Sequence, residues 1–229
     1  MNLLQRSYTT GQFFRPKPFV IERPESHLIV IATPWGPLEH AQNTAETVVE
    51  QFELLSNEDF TIPFESLPTL NPAANRLRLG LMTANNALIK NENAKGWKTA
   101  VEMTAIHFNQ NVLSWAHVGS PHLLLTDTNY SHPLAYCLDW DVQSKSQGPL
   151  FSQALGIEAQ LPISAGSIRA RRGSRLLMLA RSHWPREILG KTMAPGSVDQ
   201  QMEALVKILV EESPDNPFWF GLCDLSAAA

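Results

Sequence analysis

The chain has 229 residues, of which 44% are hydrophobic and 17% are charged, with a formal net charge of −4. This composition supplies a sizeable apolar core and excludes an intrinsically disordered chain. The acidic excess does not favour nucleic acid as a partner. Cys137 and Cys223 lie far apart and predict neither a disulfide framework nor a zinc site. Because no apolar run approaches ~18–20 residues, we expect a cytoplasmic protein without a membrane partner.

The most informative stretch is a strand that leads through a loop into a helix. Leu28–Ala32 is an apolar, largely β-branched run, typical of a strand that is buried on both faces. After the loop Thr33–Pro37, apolar residues recur with a period of 3.6 and predict a helix that ends near Leu55. Loops held between rigid elements often carry chemistry. This loop, however, contains no Asp, Glu, His or Cys.

The other elements follow from caps, turns and periodicity. Residues 1–20 predict an edge strand or an arm, with 1–10 as its flexible part, and Ser197 with Gln200 predicts a capping box. Residues 130–148 have the composition of an extended loop. The further helices are predicted at Pro72–Asn91, Glu187–Lys191 and from Ser197, and the further strands at 98–109, 112–118, 122–126, 162–171, 175–180 and 218–225, the first three of these as an antiparallel meander. Strands segregated from paired helices indicate one α+β domain spanning residues 1–229.

Six segments resemble, in order, the landmarks of one protein family. They are Ile31–Gly36 (family V-A-D-G-x-G), Ala84–Leu88 (an Ala-Asn-rich helix), Gly96–Ala100 (G-x-T-T-A), Trp115–Ser120 (A-H-V-G-D-S), Arg172–Ser182 (G-D-x-L-L-L-x-S-D-G) and Asp215–Asn216 (D-N). The family is that of the PPM (PP2C-like) metal-dependent serine/threonine phosphatases. The resemblance implies an αββα sandwich, in which two packed antiparallel sheets are flanked by helix pairs.

The resemblance also implies that most of the catalytic aspartates are missing. In the family, carboxylates hold two Mg²⁺ or Mn²⁺ ions, which activate a water molecule and clamp the phosphate. The family aspartates fall on Thr33, on Arg181, near Val20 and on Asp215, and only the last is an aspartate. Arg15 matches the phosphate-binding arginine. At ~4 Å, the Arg181 charge would repel a dication by several kcal/mol.

These substitutions predict a pseudophosphatase that holds no metal cofactor. It would bind or regulate a protein partner, including a phosphorylated one, through a degenerate cleft. A further hypothesis is that Arg181 pairs with Asp215 in place of the lost metals. The residues predicted for the cleft are Arg15, Thr33, Trp35, Gly36, Arg181, Ser182, His183, Trp184, Asp215 and Asn216.

Two other functions stay open at this point. One is an active Mg²⁺- or Mn²⁺-dependent phosphatase whose carboxylates are displaced in sequence, with Glu22, Glu39, Asp139 and Asp141 as candidates. The other is a structural subunit without a ligand.

Several smaller features allow a functional interpretation besides a purely structural one. His117 with His122 could bind a metal, and Glu39 with His40 could form a dyad. Arginines at 169, 171, 172 and 175 could bind an acidic partner. Trp35 is predicted to lie exposed on its loop or to fold back on the sheet. The other tryptophans considered (Trp97, Trp115, Trp140, Trp184 and Trp219) are predicted to pack in the core or in a groove.

Overall fold

A computed structural model describes residues 2–9, 14–56, 64–127, 131–136, 151–171, 173–180, 188, 196–212 and 214–225. The chain forms two compact units. Unit 1 comprises Met1–Lys17, Ser120–Ser152 and Ala170–Ala229, and unit 2 comprises Pro18–Gly119 and Gln153–Arg169. The prediction of one domain over 1–229 stays a prediction.

The described residues contain two five-stranded antiparallel sheets and three long helices. The helices are α1 (Leu38–Leu54), α2 (Pro72–Asn91) and α3 (Val198–Glu212). The strands are β1 (Asn2–Tyr8), β2 (Phe19–Arg23), β3 (Leu28–Trp35), β4 (Ala100–Asn109), β5 (Val112–Val118), β6 (His122–Thr126), β7 (Ser131–Ala135), β8 (Ser164–Arg169), β9 (Arg175–Ala180) and β10 (Phe218–Asp224).

Unit 2 is built on a sheet with the strand order β2-β3-β4-β5-β8. Helices α1 and α2 cover one face of it and share a buried apolar core with that face. Asn71 caps α2, since its side-chain oxygen accepts a hydrogen bond from the backbone N–H of Ala73 at 2.9 Å, and Pro72 occupies the first turn. The predicted bounds Pro72–Asn91 are therefore confirmed. On each strand the alternate residues point to the opposite face of this sheet.

Unit 1 is built on a sheet with the strand order β1-β10-β9-β6-β7, against which α3 packs. The predicted capping box is confirmed: the Gln200 N–H donates to Ser197 Oγ at 3.2 Å, and the Ser197 N–H donates to Gln200 Oε1 at 3.3 Å. The edge strand expected at the N-terminus is β1, which pairs with β10; it spans Asn2–Tyr8, so this part of residues 1–10 forms a paired strand and not the flexible part expected there. The predicted helix at 187–191 lies outside the described residues except for Ile188, which is helical and buried.

Two predictions about the middle of the chain are wrong. The meander ends at β5, because β6 joins the other sheet and pairs with β7 and β9. The extended loop predicted for 130–148 begins instead with strand β7, and 137–148 lie outside the described residues. A periodicity of two identifies strands without identifying their partners, which explains the first error.

None of the helices within the described ranges is long and apolar enough to cross a membrane.

Candidate functional site

Thr33, which the resemblance aligns with a family aspartate, lies directly opposite a glutamate. In the antiparallel ladder between β3 and β4, Thr33 pairs with Glu102. Directly opposed residues project from the same face of a sheet, here the face away from α1 and α2. Both side chains are fully buried, with 0% relative exposure. Thr33 thus lies beside a carboxylate, which belongs to the neighbouring strand.

The Glu102 carboxylate accepts a hydrogen bond from Trp35. The indole Nε1–H donates to Oε2 at 2.8 Å, across a sequence separation of 67 residues. Trp35 follows Thr33 by two positions on β3, so its side chain projects from the same face as Glu102. A hydrogen bond to a charged group contributes about 1.5–3 kcal/mol, and a buried carboxylate without partners is strongly destabilising. Of the two alternatives for Trp35, folding back is confirmed.

Two glycines leave room for this arrangement. A Cβ at Gly119 would lie 2.7 Å from Cγ of Glu102 and 2.5 Å from the carbonyl oxygen of Gln153, and the residue has φ +78°. A Cβ at Gly36 would lie 2.8 Å from Oγ1 of Thr99. No L side chain fits at either place without movement of its neighbours. We call Thr33, Trp35, Gly36, Glu102 and Gly119 the strand-end site.

The strand-end site does not suit a pair of divalent metal ions. Mg²⁺ and Mn²⁺ require several oxygen ligands, preferably anionic. Here Thr33 offers a buried hydroxyl that has no hydrogen-bond partner in the described structure, and the Glu102 carboxylate is bound to Trp35. In the described part of the chain, no group of three or more His, Cys, Asp or Glu side chains is placed to hold a metal. Thr33 therefore gives no ligand of the kind that the family's first aspartate gives.

The other predicted cleft residues are distributed over unit 1. Arg15 is buried there. Asp215 is exposed in the turn between α3 and β10, and Asn216 follows it half-buried. Of the predicted cleft, the strand-end site contains Thr33, Trp35 and Gly36. Arg181, Ser182, His183 and Trp184 lie outside the described residues, so the pairing of Arg181 with Asp215 stays a prediction.

The displaced carboxylates considered for an active enzyme do not include the one beside Thr33. Glu22 is exposed on β2, and Glu39 is exposed at the start of α1. Asp139 and Asp141 lie outside the described residues. Sequence reasoning missed Glu102, although a signal was present: it is a charged residue within a strand of otherwise apolar neighbours, Val101 and Met103.

The histidine candidates have ordinary hydrogen-bonding and stacking neighbours. In unit 2, Nδ1 of His117 lies 2.9 Å from Oγ1 of Thr104. In unit 1, His122 stacks on Tyr136 with ring centroids 4.7 Å apart. The predicted His40–Glu39 dyad is stretched to 3.8 Å, while Nε2 of His40 lies 3.2 Å from Oε2 of Glu92. The shorter contact links the start of α1 to the residue that follows α2.

One tryptophan contradicts its predicted packing role. Trp97 is 79% exposed, whereas Trp219 is buried and Trp115 is half-buried with its indole nitrogen shielded. Trp140 and Trp184 lie outside the described residues. The prediction for Trp97 failed because hydrophobicity alone does not report which side of a loop faces solvent.

Solved structures with the same fold are serine/threonine phosphatases. PstP/Ppp from Mycobacterium tuberculosis is 16% identical with a TM-score of 0.65, and 97% of each chain is covered. The PPM Ser-Thr phosphatase MsPP from Mycobacterium smegmatis, solved with cacodylate, is 13% identical with a TM-score of 0.67 and 98% coverage of each chain. PppA, described as a key regulatory component of T6SS in Pseudomonas aeruginosa, is 16% identical with a TM-score of 0.64 and 96% coverage of each chain.

The chain therefore has the fold of the PPM (PP2C-like) phosphatases over nearly its whole length, and the predicted αββα fold class is confirmed. No protein-family model and no curated protein matches the sequence. At these identities the likeness concerns the fold alone, so the function has to be argued from the site.

Proposed function

We propose that this protein is a pseudophosphatase, which keeps the PPM fold and acts by binding another protein. The observation that carries the proposal is the state of the strand-end site. A threonine stands where the resemblance places one of the family's metal-binding aspartates, and the carboxylate on the facing strand, Glu102, accepts a hydrogen bond from Trp35. A hydrolytic centre of this class depends on metal-bound water. Without a suitable ligand set, the fold serves as a binding scaffold.

Glu102 also supports the one serious rival, an active phosphatase with an atypical metal site. Its carboxylate is directly opposite Thr33 and is an anionic oxygen donor of the kind that divalent metals bind. A single carboxylate is still a poor site for a hard dication. The rival therefore requires further carboxylates from residues outside the described ranges, such as Asp139 and Asp141.

Hydrolysis assays decide between the two functions. We would measure turnover of p-nitrophenyl phosphate and of a phosphothreonine peptide with millimolar Mn²⁺ or Mg²⁺, comparing the wild type with Asp215→Ala and Glu102→Gln. We expect no turnover in the wild type beyond that of either variant. Metal-dependent turnover that either substitution abolishes would overturn the proposal and establish the atypical enzyme.

A further inference from the structure

The loop between α2 and β4 presents an exposed aromatic side chain. Trp97 is 79% exposed, and Leu38, at the start of α1, is 51% exposed. Trp35 and Ala100 form the last pair of the β3–β4 ladder. Leu38 follows Trp35 by three residues, and Trp97 precedes Ala100 by three residues. The backbone continues in contact beyond that pair, since a Cβ at Gly36 would lie 3.0 Å from the carbonyl oxygen of Lys98.

The loop that carries Trp97 is held in place by a buried asparagine. Asn93 donates through Nδ2 to the carbonyl oxygens of Thr99 and Gly156, both at 2.8 Å. Its Oδ1 accepts from the backbone N–H groups of Lys98 at 2.9 Å and Thr99 at 3.2 Å. The two ends of the loop are therefore joined through one side chain that is only 8% exposed.

Because Asn93 holds the loop in place, the Trp97 side chain is presented to a partner from a fixed backbone. An exposed indole that rests on a pre-ordered backbone loses little conformational entropy when a partner covers it. Tryptophan is also among the residues most enriched at binding hot spots. Trp97 makes no hydrogen bond or ring contact in the described structure that would explain its position.

The charges beside Trp97 favour an acidic partner. Lys95 and Lys98 flank it and are both exposed, and neither ammonium group has a carboxylate within 4.0 Å in the described part of the chain. Of the acidic side chains close in sequence, Glu92 is 3.2 Å from His40, and Glu39 is 3.8 Å from the same ring. Neither of these carboxylates lies within 4.0 Å of a lysine, so the two ammonium groups that flank Trp97 have no carboxylate partner among the described residues.

We infer that one surface of unit 2 binds an acidic peptide segment that carries an apolar residue. This surface, called the Trp97 surface, consists of Leu38, Lys95, Trp97 and Lys98. The apolar residue packs on the indole and Leu38, and Asp or Glu side chains of the segment pair with the lysines. Lysine is a compact point charge with three rotatable donors, so it can pair with a single carboxylate of the segment without the bidentate geometry that arginine offers. This inference rests on the proposed function, because it names the partner class of the same binding module.

Peptide selection tests the inference directly, because it requires only the chain itself and a peptide library. Short random peptides displayed on phage would be selected on the immobilised full chain, and enriched sequences would be synthesised and titrated by fluorescence anisotropy. We expect enriched peptides that combine Asp or Glu with an apolar residue. Trp97→Ala should weaken their binding about tenfold or more.

Matched variants test the charged part and the aromatic part of the Trp97 surface separately. The double variant Lys95→Gln/Lys98→Gln should weaken binding severalfold and flatten its dependence on salt, because screening then has no charge pair to act on. Phe14→Ala removes an equally exposed aromatic side chain, 80% exposed and in unit 1, and should leave binding unchanged. Circular dichroism and melting curves would confirm that each variant is folded.

The outcomes distinguish this inference from the proposed function. No enrichment, enrichment of basic or purely apolar peptides, or binding that Trp97→Ala leaves intact would overturn the Trp97 surface, even if the chain hydrolyses nothing. Much tighter binding by versions of the enriched peptides in which phosphoserine replaces Asp or Glu would overturn the assignment to carboxylates. Metal-dependent turnover in the assays above would overturn the proposed function and leave a Trp97-dependent interaction standing.

Discussion

Trp35 and Trp97 belong to the same end of the ladder between β3 and β4, where Trp35 pairs with Ala100 and Trp97 comes just before that pair. Trp35 turns to the sheet and donates to the buried carboxylate of Glu102. Trp97 extends from a loop whose backbone is fixed by Asn93 and leaves most of its surface in water. The indole of Trp35 is therefore bonded into the sheet of unit 2, whereas the indole of Trp97 contributes almost nothing to the packing of that unit.

The comparison teaches that residue type alone does not determine a tryptophan's role. A polar partner on the facing strand draws the indole inward, because a buried carboxylate needs donors. Where no such partner exists and the backbone is satisfied by another side chain, the indole remains available to a second molecule.

The largest loss of stability is expected from an aspartate at position 33, the residue type that the resemblance places there. Thr33→Asp would place a second buried carboxylate directly opposite Glu102. Because like charges in a buried pair repel and neither is solvated, we expect a loss of about 3–5 kcal/mol of stability. Thr33→Asn, which has nearly the same shape and no charge, should lose clearly less. Equal losses in urea unfolding would show that size, and not charge, governs this position.

A side chain at Gly119 tests the closeness of packing around Glu102. In Gly119→Ala the Cβ would meet the Glu102 side chain and a backbone carbonyl at a positive φ, so we expect about 2–4 kcal/mol of destabilisation. Gly173 has a similar φ of +84° and open space around it. Gly173→Ala therefore isolates backbone strain, worth about 1–2 kcal/mol. The difference between the two melting temperatures measures the crowding at the strand-end site.

Removing the indole donor tests the hydrogen bond itself. Trp35→Phe keeps an aromatic ring and withdraws a donor from the buried Glu102, which should cost about 2–3 kcal/mol. The double variant Trp35→Phe/Glu102→Met should recover part of that loss, because no buried charge then remains. A double-mutant cycle with no coupling energy would contradict the role given to this pair.

A pH dependence should come from the same sheet, at a distance from the strand-end site. Burial, together with the positive charges of Arg76 and His27, lowers the pKa of His107 from 6.5 to about 4. Between these values the unfolded chain binds more protons than the folded chain, so stability rises with pH from 4 to 6.5 and is lost as the pH falls. Allowing for partial exposure, the effect is about 1–2 kcal/mol.

His107→Gln should flatten the stability profile in this window. His132→Gln, which removes an exposed histidine of unit 1, serves as the control and should leave the profile unchanged. An undiminished slope in His107→Gln, measured by chemical unfolding at pH 4.5 and pH 7, would assign the dependence to other groups.

The smallest expected effect belongs to the outer tryptophan. Trp97→Ala should change stability by less than about 0.5 kcal/mol, because a side chain that is 79% exposed buries little surface on folding. Phe14→Ala should behave alike. A destabilisation by Trp97→Ala comparable with that of Trp35→Phe would mean that the indole packs in solution, and it would remove the contrast between the two regions.

The sequence predicts the parts of this fold that depend on local chemistry. Helix α2 begins with a capping asparagine and a first-turn proline, and α3 begins with a capping box, so their starts can be read directly. The threonine at the position that the resemblance aligns with a family aspartate is equally visible once the segment order is recognised. These features involve residues that are close in sequence.

Features that depend on long-range register could not be predicted. Glu102 becomes important because it pairs with Thr33 and accepts from Trp35, 67 residues away from it. The transfer of β6 to the other sheet likewise depends on pairing between distant segments. The loop that carries Trp97 is held by Asn93, whose hydrogen bond to Gly156 bridges 63 residues. Periodicity contains no information about any of these contacts.

We propose that Trp35 and Glu102 close the strand-end site to divalent metal ions. The most direct measurement is the titration of the full chain with Mn²⁺, followed by electron paramagnetic resonance of the free ion, for the wild type and Glu102→Gln. We expect the free Mn²⁺ signal to follow the total concentration alike in both proteins through the micromolar range. A saturable site in the wild type that Glu102→Gln abolishes would contradict the claim and support the atypical phosphatase.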